Sequence, residues 1–182
     1  MRWIWNEAEA DAKNVSDDVV DIMTEKIQTL QLGAQDVLKT ASCIGARFEK
    51  SIVVSLMSEA FSNETTDKHL NRLVKQGLII KMIRRDADES YKFSHDRIQQ
   101  AAYSLVPKSE KEALHLRIGR ILENKISDGA PTSLIFNAVD QLNRGAESIA
   151  DRAEQVELAV LNARAAEEAY KACAFTPSKK YA

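Results

Sequence analysis

Apolar residues recur every three or four positions along most of this chain, the period of helices that bury one face. Val19, Val20, Met23, Ile27 and Leu30 mark the first such face. Ser16 is placed to cap it, and Asp17 and Asp18 suit its positive end. After Gly33, the residues Val37, Leu38, Ala41 and Ile44 repeat the pattern, and Gly45 ends it in the position favoured after a helix. A third helix is predicted over Glu49 to Ser58 on Ile52, Val53 and Leu56, and a fourth on Leu70, Leu73 and Val74, closed by Gly77. The period then changes. Leu78, Ile79, Ile80, Met82 and Ile83 form a short apolar run, Arg84 to Ser90 a polar turn, and Tyr91 and Phe93 alternate, which predicts a two-stranded hairpin. A helix resumes at about His95, with Ile98, Ala101, Ala102 and Leu105 on one face until Pro107. Helices followed by a hairpin predict a winged helix over residues 31–107.

Beyond Pro107 the pattern is helical throughout. Ser109 is a candidate cap for a helix with Leu114, Ile118, Ile121 and Leu122 inward, broken by Gly129 and Pro131. Ile135, Val139 and Leu142 mark another helix ending near Gly145. A last long helix is predicted from about Arg152 to Ala174, with alanines at 159, 163, 166 and 169 allowing close approach of neighbours, and Thr176-Pro177 as a turn into a further helix. Antiparallel helices with small residues at contacts predict a helical-repeat, TPR-like extension over residues 108–182. At the other end, Trp3, Ile4 and Trp5 are bulky and β-prone; one such strand is not stable alone, so residues 1–30 are expected to be the tail of a preceding module, a strand plus a helix. The expected fold class is mainly α, with one small β-hairpin.

Composition narrows the partners. A 45% hydrophobic and 29% charged chain of 182 residues is an ordinary folded composition, and its formal net charge of −2 supplies no general pull toward nucleic acid or anionic membrane. Cys43 and Cys173 are the only cysteines, far apart, which suits buried thiols in a reducing compartment rather than a disulfide framework or a zinc site. No apolar stretch approaches the ~20 residues of a membrane span, and no secretory signal is recognisable at the N-terminus. A cytoplasmic location is expected.

Catalytic motifs are missing. The six glycines are scattered at helix ends, with no glycine-rich run leading to Lys-Ser or Lys-Thr. No elbow presents a serine nucleophile, and His69, His95 and His115 lack metal-ligand spacing. The expectation is therefore no catalytic residue, no metal and no cofactor in this chain. The junction of hairpin and helix is more informative. Phe93 anchors the hairpin, His95 and Asp96 occupy the strand-to-helix step, and free backbone N–H groups at a helix start favour an anion or phosphate. A histidine there can donate a hydrogen bond to phosphate, with Asp96 as the capping or first-turn acid; alternatively His95 bonds a backbone carbonyl.

The run Phe93-Ser94-His95-Asp96-Arg97-Ile98-Gln99-Gln100-Ala101-Ala102-Tyr103-Ser104-Leu105 resembles the segment after the nucleotide-binding core of STAND-type, AAA-related signalling ATPases. It is most similar to the very large proteins that join a serine/threonine kinase domain, this ATPase module and a sensor histidine kinase. Trp3-Ile4-Trp5, Asp18 to Met23, Val37 to Gly45 with Phe48, Ile135 to Gly145 and Ala174-Phe175-Thr176-Pro177 extend the resemblance over nearly the whole chain. The resemblance implies a winged helix behind an ATPase core, then a helical-repeat arm. In the related death-associated ATPases a Met-His-Asp motif ends the hairpin, and its histidine reaches the phosphate of bound nucleotide. His95 and Asp96 match that motif, while Ser94 replaces the methionine. The implied nucleotide-sensing residues are His95 and Asp96, with Phe93, Arg97 and Tyr103 for packing between domains. ATP or ADP is implied for the parent protein. The implied partners are an upstream nucleotide-binding core, downstream helical repeats and a protein target.

Lys68, His69, Arg72 and Lys75 lie where a winged helix presents its recognition helix, so a free-standing DNA-binding regulator is the competing reading. Glu64 and Asp67 sit alongside, and in the wing Asp86, Asp88 and Glu89 offset Arg84 and Arg85, which favours a solvated or protein-facing surface over DNA. A truncated product without function is the third reading.

Overall fold

The computed structural model describes residues 15–82, 89–127 and 134–180, with side chains described within 19–171. It is mainly helical with one three-stranded antiparallel sheet, and it divides into two compact units, Met1–Val106 and Pro107–Ala182.

In the first unit, α1 (Val15–Gln28) and α2 (Leu32–Ile44) lead into β1 (Arg47–Glu49), α3 (Lys50–Met57), α4 (Asn63–Lys75), β2 (Ile79–Met82), β3 (Ser90–Phe93) and α5 (Asp96–Ser104). The helical faces expected from spacing form its core: Ile27, Val37, Leu38, Ala41, Val53, Leu70, Leu73, Ile98, Ala101 and Ala102 are all buried. Helix α1 packs on α5, and its Ile27 is fully buried in the same core. Residues Trp3 to Trp5 lie outside the described residues. Ser16 lies within helix α1, after helical Val15, and is not its cap.

Strand β1 is an addition to the expected two-stranded hairpin. The sheet order is β1-β3-β2, with Phe48 opposite Tyr91 and Ile79 opposite Phe93. Phe48 stacks on Tyr91 at 5.8 Å between ring centroids and lies at the same distance from Phe93, tilted. Three aromatic rings therefore hold the strand that only three residues form; such pairs add about 0.5–1.5 kcal/mol beyond burial.

Helix α4, which carries most of the polar chemistry, is closed at both ends by side chain and backbone. The Ser62 hydroxyl accepts from the Thr65 N–H at 3.3 Å. At the other end, Gly77 N–H donates to the Val74 carbonyl and Leu78 N–H to the Leu73 carbonyl. These paired bonds close the helix through a left-handed Gly77 at φ 70°, which a residue without Cβ adopts at least cost.

The second unit contains α6 (Lys108–Ser127), α7 (Leu134–Arg144), a 3₁₀ turn (Ala146–Ser148) and α8 (Arg152–Lys180). Helix α6 begins one residue before Ser109, whose place in the first turn excludes it as the cap. The residues Gly129 and Pro131 lie outside the described residues. Leu142 packs against Gly119, and the backbone of Leu116 and Glu112 lies against Gly145, so two glycines set how closely α7 and its following turn approach α6. The His115 Nδ1 and Gln141 Oε1 atoms meet at 2.6 Å inside this contact. Arg120 grips Glu154 through two bonds of 2.6 and 2.8 Å, and Asn143 and Asn162 exchange amide hydrogen bonds.

Helix α8 corrects two expectations. Its backbone is helical through Pro177 to Lys180, without a turn at Thr176-Pro177; a proline removes one ladder bond and kinks a helix without always ending it. Its packed face is Leu161 and Ala165, while Ala159, Ala163, Ala166 and Ala169 are exposed. The alanines share the outer side with exposed Val156, Val160 and Tyr170, so their spacing records helix propensity rather than contact within the described chain. Among the described residues, no helix is long and apolar enough to cross a membrane.

Candidate functional site

The step from β3 to α5 is fixed to its own unit by backbone. Phe93 N–H donates to the Ala46 carbonyl at 3.0 Å, and Ser94 N–H to the Leu78 carbonyl at 3.1 Å. The Ser94 hydroxyl donates to the carbonyl of Gly77, tying the junction to the end of α4. Ser94 is therefore a hydrogen-bonding anchor.

His95 is itself the N-cap of α5, in extended conformation (φ −151°, ψ 144°), and its Nδ1 accepts from the Arg97 N–H at 3.2 Å. Asp96 is then the first-turn acid and not the cap. The bond assigns the proton of the neutral ring to Nε2, leaving that atom as the outward donor on an exposed residue. The alternative bond from His95 to a backbone carbonyl is absent among the described residues. Arg97 donates to Gln100 Oε1 at 2.8 Å, and the Gln99 amide reaches back to the Ser42 carbonyl at 3.1 Å, which fixes α5 on α2.

The packing residues separate. Phe93 is buried in this unit's core against Phe48. Arg97 and Tyr103 are half-buried on α5. Tyr103 stands two turns from Asp96, about 10 Å along the axis, on nearly the same face.

Spacing alone missed an ion-pair cluster beside this sheet. Lys50 Nζ hydrogen-bonds Asp67 Oδ2 at 2.8 Å, lies equally close to Oδ1, and sits 3.3 Å from Glu89, which also pairs with Lys81 at 2.5 Å. Asp67 therefore turns away from the basic row of α4, and Glu89 is engaged by two lysines. Arg84 and Arg85, with Asp86 and Asp88, lie outside the described residues. The hydrogen bond from Lys81, then that from Lys50, holds the Glu89 carboxyl below the usual carboxylate range. The bond to Asp67 is the largest cause raising the Lys50 ammonium.

A depressed carboxyl contributes stability above its unfolded pKa and loses it as pH falls through the folded one; a raised lysine contributes below its unfolded pKa and loses it as pH rises through the folded one. Thermal stability should therefore be greatest between the carboxylate and lysine ranges. The fall on the acid side should be shallower in Glu89→Gln, measured by melting at stepped pH. An identical acid limb in that variant would show that the cluster contributes nothing.

Comparison with known proteins places this geometry in context. No family model matches the chain, and no solved structure matches it. Among curated proteins, the hybrid signal transduction histidine kinase G of Dictyostelium discoideum is 29% identical over 228 aligned positions, covering 99% of this chain and 7% of that protein. The chain thus spans only about 7% of the length of the curated relative it matches. The similarity associates this segment with signal transduction and with a histidine-kinase protein.

Proposed function

We propose that this chain is a non-catalytic regulatory segment of a signal-transduction ATPase or kinase. In this reading residues 31–107 act as a winged helix that senses nucleotide on a preceding ATPase core of STAND type. Residues 108–182 act as a TPR-like arm for protein interaction. The element order helix, strand, two helices and hairpin, with β1 completing the sheet beside β3, supports the winged-helix part. The observation that carries the sensing role is His95: an exposed imidazole that caps α5 through Nδ1 and is held in place by Ser94. Its Nε2 N–H, at the positive end of a helix, suits a diphosphate oxygen. ATP or ADP is then the ligand of the parent protein, and this chain supplies one contact to it, in the cytoplasm.

The purified chain is expected to show no ATP hydrolysis and no protein phosphorylation with radiolabelled ATP. Turnover that co-purifies and scales with the chain would defeat the regulatory reading. The competing reading, a DNA-binding regulator, is favoured by the row Lys68, Asn71, Arg72 and Lys75 on the exposed side of α4. Against it, the regulatory reading expects duplex DNA to bind no tighter than the non-specific range of about 10⁻⁴–10⁻⁶ M at physiological salt. Nanomolar binding to a selected sequence, lost in Arg72→Ala, would reverse the choice.

A further inference from the structure

The start of α2 and the outer face of α4 enclose an open cleft of about 740 Å³, lined by Gln31, Thr65, Lys68, His69, Asn71, Arg72 and Lys75. Three features of it favour an anion. First, α2 is uncapped by side chain: Gln31 stands at its N-cap without a capping bond, and its Oε1 accepts from Arg72 Nη1 instead. The N–H groups of Leu32 and Gly33, the first two helical residues, therefore have no carbonyl within the helix to bond. Second, the Gln31 bond holds the Arg72 guanidinium at that same helix end, with Lys68 and Lys75 one turn to either side. Third, His69 lines the cleft while only 8% exposed, and it has no hydrogen-bond partner among the described residues. Its ring is held against Phe61 at 5.2 Å and against Gly33, where an added Cβ would come within 2.5 Å of Nε2. Its ring nitrogens are not sealed from solvent, so they stay open to a partner in the cleft.

The local charge is positive. On α4 only Glu64 offsets the three cations, by pairing with Lys68 at 2.8 Å; Asp67 is turned to Lys50, and on α2 Asp36 is paired with Lys39. Leu32, next to Gln31 in the chain, leaves its apolar side chain 76% exposed. We infer that this cleft docks a protein segment that carries a carboxylate next to an apolar side chain, the carboxylate meeting Arg72, His69 and the first turn of α2. The exposed leucine and the chain's net charge of −2 set a peptide ahead of nucleic acid, whose affinity depends on many phosphate contacts. This site is separate from His95 and does not depend on nucleotide sensing.

The test is an amide NMR titration of the whole chain with an acetylated hexapeptide alternating glutamate and leucine. Saturable shifts at Leu32, Gly33 and His69 are expected, with affinity falling about tenfold or more in Arg72→Gln, the loss of one charge-assisted bond. Lys108→Gln, outside the lining residues, should bind as the parent does. The matching glutamine–leucine peptide should not shift these amides. Absence of shifts, equal binding of the glutamine peptide, or equal affinity in Arg72→Gln would each overturn the proposal. Inorganic phosphate binding as tightly as the peptide would reduce the cleft to a simple anion site. Duplex DNA binding these amides more tightly than the peptide would assign it to nucleic acid. Either result defeats the proposal.

Discussion

Leu70→Ala is expected to destabilise the first unit by about 2–5 kcal/mol, the cost of a buried leucine truncated to leave a cavity. Leu70 is fully buried on α4, within the cluster that includes Leu38, Leu73, Leu78 and Phe93. Its helix is fixed at both ends, by Ser62 and by the Gly77 closure, which limits how far α4 can move to refill the space. The cost should therefore fall in the upper part of the range. Because the chain has two compact units, a single melting curve mixes them, and native-state hydrogen exchange of core amides such as those of Leu38 and Leu73 reads the first unit alone. A change below about 1 kcal/mol would mean that α4 does not pack as described.

The second large effect belongs to the other unit. An alanine Cβ at Gly145 would lie 2.7 Å from Leu116 Cβ and from its backbone nitrogen, and 2.8 Å from the Glu112 carbonyl. Two of these neighbours are backbone of α6, so no rotamer change relieves them, and the turn after α7 must move away from α6. Gly145 has φ −101°, which alanine adopts freely, and alanine lowers the entropy of the unfolded chain. Any loss therefore reports the contact alone. Gly145→Ala should cost about 1–3 kcal/mol, as overpacking does. Exchange of amides around Ile118 and Leu142 is the measurement, and a stabilised unit would refute the close approach.

The faces of α1, α2, α4 and α5 were legible because each buries one stripe against one core, the case in which spacing reports burial directly. Helix ends closed by Gly45 and Gly77 were legible for the same local reason. Strand β1 was not: three residues, Arg47 to Glu49, are too few for alternation to show, and the strand exists because Phe48 finds Tyr91 and Phe93 across the sheet. Ser109 misled because hydroxyl residues are also tolerated in a first turn, where a helix can begin one residue earlier. On α6 and α7, His115 and Gln141 occupy buried positions as a hydrogen-bonded pair, so a count of apolar residues passes over the contact they make. The alanines of α8 were read as contacts, although alanine is equally at home on an exposed helical face.

At the candidate site, the position of His95 at the head of α5 was legible from the switch in period at Phe93. Its bonding was not, since whether His95 or Asp96 caps the helix depends on the backbone angles at one residue. The roles follow from that difference. His95 both caps and points outward, whereas Asp96 acts through the helix dipole, an effect of about 0.3–1 kcal/mol, so Asp96→Ala should perturb the junction less than His95→Ala. The acid that pairs Lys50, Asp67, was hidden because the two stand 17 residues apart on different helices, a contact that local spacing does not report.

The rate of ADP release, followed with a fluorescent analogue in the longest nucleotide-binding polypeptide of the same reading frame, tests the sensing role of His95 most directly. His95→Asn retains a side chain that caps helices well but lacks the reach of imidazole, so it removes the outward N–H without opening α5. A lost bond to a charged phosphate is worth about 1.5–3 kcal/mol, so release should accelerate by roughly tenfold or more in both His95→Asn and His95→Ala while the fold is retained. Unchanged release in both variants, or a reading frame whose product binds no nucleotide, would contradict the account and leave His95 as a helix cap alone.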